Sequence, residues 1–184
     1  MELKEKTLSS ELKFTGRIIH VVHDRIELPD GNLSMRELVE HPGGVCVAAV
    51  NEHGELLLVE QFRYAFKTEI LEFPAGKLEP GEDPLEAAKR ELIEETGYEA
   101  DAMLSLGEVW PSVGYLTERI HLYYAPITHF VGQKLDPQEF LNVKTYSYDQ
   151  LVSMVNHNLI NDGKTIALLM RMDALLKEKD GTNI

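Results

Sequence analysis

Residues 76–98 read Gly76-Lys77-Leu78-Glu79-Pro80-Gly81-Glu82-Asp83-Pro84-Leu85-Glu86-Ala87-Ala88-Lys89-Arg90-Glu91-Leu92-Ile93-Glu94-Glu95-Thr96-Gly97-Tyr98. The local chemistry predicts a loop followed by a helix over 84–96. Asp83 suits the N-cap, Pro84 the first helical position, and Glu86 completes a capping box with Asp83. Gly97 suits a left-handed C-terminal cap. At about 100° per residue, Leu85, Ala88 and Leu92 form an apolar stripe for the core. Glu91, Glu94 and Glu95 fall on an adjacent arc, with Glu91 and Glu95 as i,i+4 neighbours. Arg90 is placed to pair with Glu82 and fix the loop to the helix.

A glutamate run ordinarily means a solvated helix face. Carboxylates crowded on one arc also repel unless a cation sits among them, and a hard divalent ion such as Mg²⁺ takes oxygen ligands and bridges to phosphate. The full pattern decides between the two readings. Gly76, five residues, Glu82, seven residues, then Arg90-Glu91-Leu92-x-Glu94-Glu95-x-Gly97-Tyr98 resembles the Nudix box at every defined position.

Composition sets the outer limits. A chain of 184 residues suits one domain, or a core domain with a small extension. The hydrophobic fraction of 43% and charged fraction of 27% are those of an ordinary globular protein. No apolar run approaches the roughly 18 residues of a membrane span, and the first residues lack a signal peptide's apolar core. Cys46 is the single cysteine, so no internal disulfide forms and a reducing cytoplasm is expected. It lies in the apolar run Gly44–Val50 and reads as a small core residue. A formal net charge of −13 argues against a nucleic-acid partner. It does not exclude a phosphate substrate, because carboxylates that hold cations let those cations attract phosphates.

Residues 12–28 alternate as strands, and Pro29-Asp30-Gly31-Asn32 signals a hairpin into 33–41. Gly44–Val50 and Glu55–Phe62 read as a second hairpin across Glu52-His53-Gly54. A strand over 69–73 runs into Pro74-Ala75-Gly76. Further strands are predicted near 101–109, 118–126 and 141–147, then helices over 148–157 and 163–178. The last has Ile166, Leu169, Met172, Leu175 and Leu176 at core spacing. Strands around one central helix, with helices at the end, predict a mixed α/β sandwich.

The resemblance extends beyond the box. Arg36-Glu37-Leu38 leading to His41-Pro42-Gly43-Gly44, Glu60-Gln61-Phe62-Arg63, Glu72-Phe73-Pro74-Ala75-Gly76 and Asp162-Gly163-Lys164-Thr165-Ile166 look like the ADP-ribose pyrophosphatase branch of the Nudix hydrolases. That branch implies an α/β/α sandwich of mixed sheets with an N-terminal antiparallel strand extension. Residues 1–42 would be the extension and 43–184 the Nudix domain. It also implies a homodimer that exchanges the extension and builds each substrate site from both chains. The branch usually shows Ser-Pro-Gly after the box, where this chain has Ser112-Val113-Gly114. That departure bears on the choice among nucleoside diphosphate sugars.

By resemblance, the reaction is metal-dependent hydrolysis of the pyrophosphate of ADP-ribose or a related nucleoside diphosphate sugar, with Mg²⁺ as cofactor and Mn²⁺ able to substitute. The implied metal ligands are Glu91, Glu95, the carbonyl of Ala75 and Glu139, with Glu94 serving a further ion or its waters. The acidic stretch Asp136-Pro137-Gln138-Glu139 reads alone as a solvated loop. The resemblance gives Glu139 a role in metal binding or base catalysis. Arg36, Glu37, Arg63 and Glu118 are the candidates for substrate binding, since arginine suits phosphate forks and stacks on a purine. Trp110 and Tyr115 are aromatic candidates for stacking, although a lone Trp is more often core. The histidines show no metal-ligand spacing. Two other readings are a hydrolase of another nucleotide, such as an oxidised one, and a Nudix module that senses a nucleotide without cleaving it. Such modules often lose box glutamates, and all are present here.

Overall fold

A computed structural model describes residues Glu2–Lys179. The chain forms two compact units. One takes the chain up to Gly43 together with Trp110–Arg119; the other takes Gly44–Val109 and the chain from Ile120 onward.

The first unit is an antiparallel meander of β1 (Lys6–Thr15), β2 (His20–Glu27) and β3 (Leu33–Glu40). Its second turn follows the expected chemistry. Asp30 accepts from the Asn32 N–H at 3.0 Å, and Gly31 sits at φ 86°, where a side chain is strained. On β2 the period of two puts His20, Val22, Asp24 and Ile26 on one face, with Val22 and Ile26 buried. The first strand starts at Lys6, earlier than its sequence suggests. It is exposed along its whole length, so no burial pattern marks it. Residues 110–119 close this unit from far along the chain: the Val39 N–H donates to the Tyr115 carbonyl at 2.7 Å, and the Thr117 N–H to the Val39 carbonyl at 3.0 Å.

The second unit contains β4 (Gly44–Val50), β5 (Leu56–Arg63), β6 (Thr68–Glu72), β7 (Ala75–Lys77), α1 (Pro84–Thr96), β8 (Tyr98–Glu99), β9 (Leu104–Val109), β10 (Ile120–Pro126), β11 (His129–Phe130), β12 (Leu141–Tyr146), α2 (Tyr148–Asn156) and α3 (Gly163–Lys179). Seven strands form a mixed sheet along β12-β5-β4-β10-β9, with β6 also on β5 and β7 also on β4. Only β4 and β10 run parallel within it. The unbroken apolar run of β4 reflects burial on both faces. Cys46 and Ala48 pack with Leu151 of α2 and Leu168, Leu169 and Met172 of α3. Val45, Val47 and Ala49 pack with Ala87, Ala88 and Leu92 of α1. The unit is therefore an α/β/α sandwich, as expected.

Two details differ from the sequence reading. The β4–β5 hairpin pairs directly only at Ala49↔Leu57 and Val50↔Leu56. Beyond that the strands part, Pro74 accepts from the Val47 N–H at 2.9 Å, and β7 takes the edge of β4 with Ala75 opposite Cys46 and Gly76 opposite Val45. On α3, Leu168 joins Leu169 and Met172 in the core, while Ile166 and Leu175 are half-buried. The Leu176 side chain lies outside the described residues. No described helix is long and apolar enough to cross a membrane.

Candidate active site

The box begins as its sequence dictates. Asp83 is the N-cap and accepts from the Leu85 and Glu86 N–H groups at 2.9 and 3.3 Å, with Pro84 next. The return arm expected from Glu86 is replaced by an ion pair in which Lys89 Nζ donates at 2.7 Å. Arg90 does pair with Glu82, through Nε at 2.8 Å and Nη2 at 3.0 Å. Its Nη1 donates to Glu91 and Glu94, at 2.8 and 3.0 Å. One guanidinium therefore gathers three box carboxylates. Glu82 in particular holds the Arg90 pKa above its ordinary value, and Arg90 holds Glu82 below its own.

Glu95 is the exception among the box glutamates. Only 1% of it is exposed, and its Oε2 accepts from the Ala75 N–H at 2.8 Å. Burial pushes its carboxyl up to about 8 in spite of that bond, with Glu91, Glu139 and Glu72 adding to the rise. Glu91 is also raised by burial, which Arg90 opposes and Glu94 and Glu139 reinforce. The Glu91 carboxylate lies directly over Gly76, where a Cβ would sit 1.9 Å from Glu91 Cδ. Thus β7 and α1 bring Ala75, Gly76, Glu91 and Glu95 together, and Glu139 lies within their electrostatic reach.

Glu139 arrives on a segment moored to the end of α1. The last carbonyls of a helix lack intrahelical partners, and here the chain after β11 supplies them. Val131 N–H donates to Gly97 at 2.7 Å, Gln133 Nε2 to the Glu95 carbonyl at 2.5 Å, and Lys134 N–H to the Glu94 carbonyl at 3.0 Å. Gly97 has φ 77°, and a Cβ there would stand 2.7 Å from Gln133 N. Glu139 then borders a cleft of about 360 Å³ with Phe140, Phe62, Glu60, Glu69 and Leu135. Nothing local in the sequence marks this mooring, because its partners are some 40 residues apart.

Arg63 ends β5 and donates through Nε to Glu72 Oε1 at 2.6 Å. Glu72 is 1% exposed. Lys164 Nζ donates to the other Glu72 oxygen and, at 2.9 Å, to Asp162 Oδ1. Glu72 and Lys164 lie in family-like stretches of the sequence, and no local pattern marks either for a role.

In the first unit, Arg36 is gripped by Glu5: Nε donates to Oε2 at 3.0 Å and Nη2 to Oε1. Glu37 is exposed, with His23 Nε2 at 3.4 Å. Glu118 has His41 Nδ1 at 3.3 Å. Trp110 carries the Arg119 guanidinium 5.2 Å from its ring, and Tyr115 is exposed. The candidates thus divide: Arg63, Ala75, Glu91, Glu94, Glu95 and Glu139 belong to one unit, Arg36, Glu37 and Glu118 to the other.

Among the described residues, no group of three or more His, Cys, Asp or Glu side chains is placed to hold a metal ion by itself. The donor chemistry nevertheless fits a hard divalent ion. It is all oxygen, it includes a carboxylate whose charged form is penalised by burial and by neighbouring carboxylates, and a cation is what relieves that penalty.

Comparison with known proteins agrees with the geometry. Residues 40–169 match the NUDIX domain family, and residues 5–39 match the nucleoside diphosphate sugar hydrolase N-terminal domain. An ADP-ribose pyrophosphatase of Bacillus subtilis (strain 168) is 38% identical over 182 residues, which is 96% of this chain and 98% of the relative. A methanol dehydrogenase activator of Bacillus methanolicus is 39% identical over 183 residues, 96% and 97% of the two chains. A GDP-mannose pyrophosphatase of Yersinia enterocolitica is 32% identical over 158 residues, 78% and 81%. The solved structure of an ADP compounds hydrolase superposes with a TM-score of 0.85 over 100% of both chains at 20% identity, a likeness of fold. The chain belongs to the Nudix family, in which it is a hydrolase of the nucleoside diphosphate sugar branch.

Proposed function

We propose that the protein hydrolyses the pyrophosphate of ADP-ribose to AMP and ribose 5-phosphate, with Mg²⁺ as its cofactor and Mn²⁺ as a substitute. The observation that carries this reading is Glu95, a buried carboxylate with its pKa raised to about 8, beside Glu91 and in reach of Glu139. Burial of this carboxylate is relieved by a proton or by a bound cation. Glu91, Glu95 and the Ala75 carbonyl would hold it, with Glu94 serving a further ion or its waters. When bound, the metal polarises phosphoryl oxygens, offsets developing charge and brings the pKa of water toward neutrality. Glu139 either completes the ligand set or accepts the proton of the attacking water. Arg63 offers a guanidinium to the diphosphate. The two relatives named as pyrophosphatases, of ADP-ribose and of GDP-mannose, support the diphosphate sugar class.

Arg36, Glu37 and Glu118 complete the proposed substrate site from the unit that includes the extension, residues 1–42. In the working homodimer that extension is exchanged, so each site draws on both chains. Cys46 is fully buried and its thiol is pushed up by burial, which suits a reducing cytoplasm.

The test is turnover of ADP-ribose and GDP-mannose in ¹⁸O-water with product mass analysis. AMP and ribose 5-phosphate, one of them carrying a single heavy oxygen, are expected from ADP-ribose with Mg²⁺, and none in excess EDTA. Full activity in chelator overturns the metal reading. Tight ADP-ribose binding without turnover identifies a sensing module instead.

A further inference from the structure

We propose that Lys164 is a positioning residue of the substrate site, acting through buried Glu72 to keep the fork of Arg63 free. The inference rests on the reading of Arg63 as the diphosphate contact. Arg63 donates to Glu72 only through Nε, at 2.6 Å; its Nη1 and Nη2 make no hydrogen bond among the described residues. A carboxylate facing a guanidinium frequently takes two parallel hydrogen bonds. Here the second Glu72 oxygen is already taken by Lys164 Nζ. Lys164 competes with Arg63 for that oxygen and holds it on the side of α3, and both Nη groups are left for an anionic ligand.

The arrangement is built into the fold. Glu72 is 1% exposed, so each of its oxygens must be matched by a donor. The Lys164 side chain is 12% exposed. Burial alone would lower its pKa, but Glu72 and Asp162 outweigh that and hold the ammonium charged. Asp162 Oδ2 in turn accepts from the Thr165 N–H at 2.9 Å, fixing the first turn of α3. Thr165 Oγ1 accepts from the Phe73 N–H at 2.9 Å, next to Glu72 itself. The start of α3 is thus tied twice to the segment leading into Ala75. The two cations and two carboxylates sum to zero, as burial demands. Without Lys164, Glu72 keeps one unmatched buried oxygen, and the nearest remedy is to turn the Arg63 fork inward.

A double-mutant cycle on the full-length protein with ADP-ribose and saturating Mg²⁺ tests this. Arg63→Ala should raise KM roughly tenfold to hundredfold, the range for a lost charged hydrogen bond. Lys164→Met should raise KM about tenfold, with kcat within twofold and the Mg²⁺ activation constant unchanged. The double mutant should be no worse than Arg63→Ala alone, and Lys164→Arg should recover part of the loss. If Lys164→Met fails to fold, Lys164→Gln, whose neutral amide is a weaker donor to Glu72, runs the cycle with a smaller rise in KM expected, again absent when Arg63 is already alanine. Effects that multiply in the double mutant, or a fall in kcat at constant KM, overturn the positioning role while leaving Arg63 in place. An unchanged KM in Arg63→Ala removes the Arg63 reading and this inference with it.

Discussion

At Glu95, burial and the demands of chemistry oppose each other. Its folded pKa of about 8 lies above the ordinary carboxylate value of 4.5, so between those values the folded protein keeps a proton that the unfolded chain has lost. Stability must then fall as pH rises through this window. In chelator, the melting temperature should drop from pH 5 to pH 8, and Glu95→Gln should flatten the slope while abolishing turnover. An equal slope in wild type and Glu95→Gln would remove Glu95 as its source. A neighbouring glycine makes a second prediction. Because a Cβ on Gly76 would stand 1.9 Å from Glu91 Cδ, Gly76→Ala must displace that carboxylate. A misplacement of about 1 Å can cost about a hundredfold in rate. We expect a loss of that order in kcat, weaker Mg²⁺ activation and a near-normal melting temperature. Normal kinetics in Gly76→Ala would show that Glu91 need not lie where it does.

At the scale of elements, α1 was almost wholly legible in the sequence because its signals are local. Asp83, Pro84 and Gly97 mark its ends, and the structure places them as cap, first residue and left-handed C-cap. The run Gly44–Val50 was legible for a similar reason, since burial on both faces removes polar residues altogether. What escaped depends on distant partners or on too little chain. Three residues of β7 carry no periodicity, and the inward turn of Glu95 on an arc with Glu91 and Glu94 depends on what packs there. The mooring of 131–134 on the helix end is likewise invisible to a local pattern, yet it sets where Glu139 sits. It yields a prediction at Gly97. Alanine there meets a left-handed backbone, which costs roughly 1–2 kcal/mol, and also the chain at Gly132 and Gln133. Gly97→Ala should lower stability by at least that amount in denaturant titration, and should lower kcat because the Glu139 segment is pushed off its mooring. A stable variant with full activity would separate the mooring from catalysis.

For the whole molecule, the unsolved balance is apolar surface on the first unit. Leu8, Leu12 and Phe14 of β1 are all exposed, as are Leu33 and Met35 of β3. A second copy is a symmetric way to cover such a face. We therefore expect a homodimer by light scattering at assay concentration. If the extension is exchanged, Arg36→Ala and Glu95→Gln chains, each inactive alone, should complement when mixed and refolded. At random reassociation roughly a quarter of the sites would then be wholly native. A fully active monomer overturns the dimer; a dimer without complementation assigns both residues to one chain. The first unit has a further consequence, in time rather than space. Its edge strand β3 is completed by residues 115–117, which leave the ribosome only after most of the second unit's sheet and all of α1 have been made. At about 5–20 residues per second, β3 waits several seconds for its last strand neighbour. β3 is thus made well before its own unit can be finished, and the exposed β1 of that unit shares the wait.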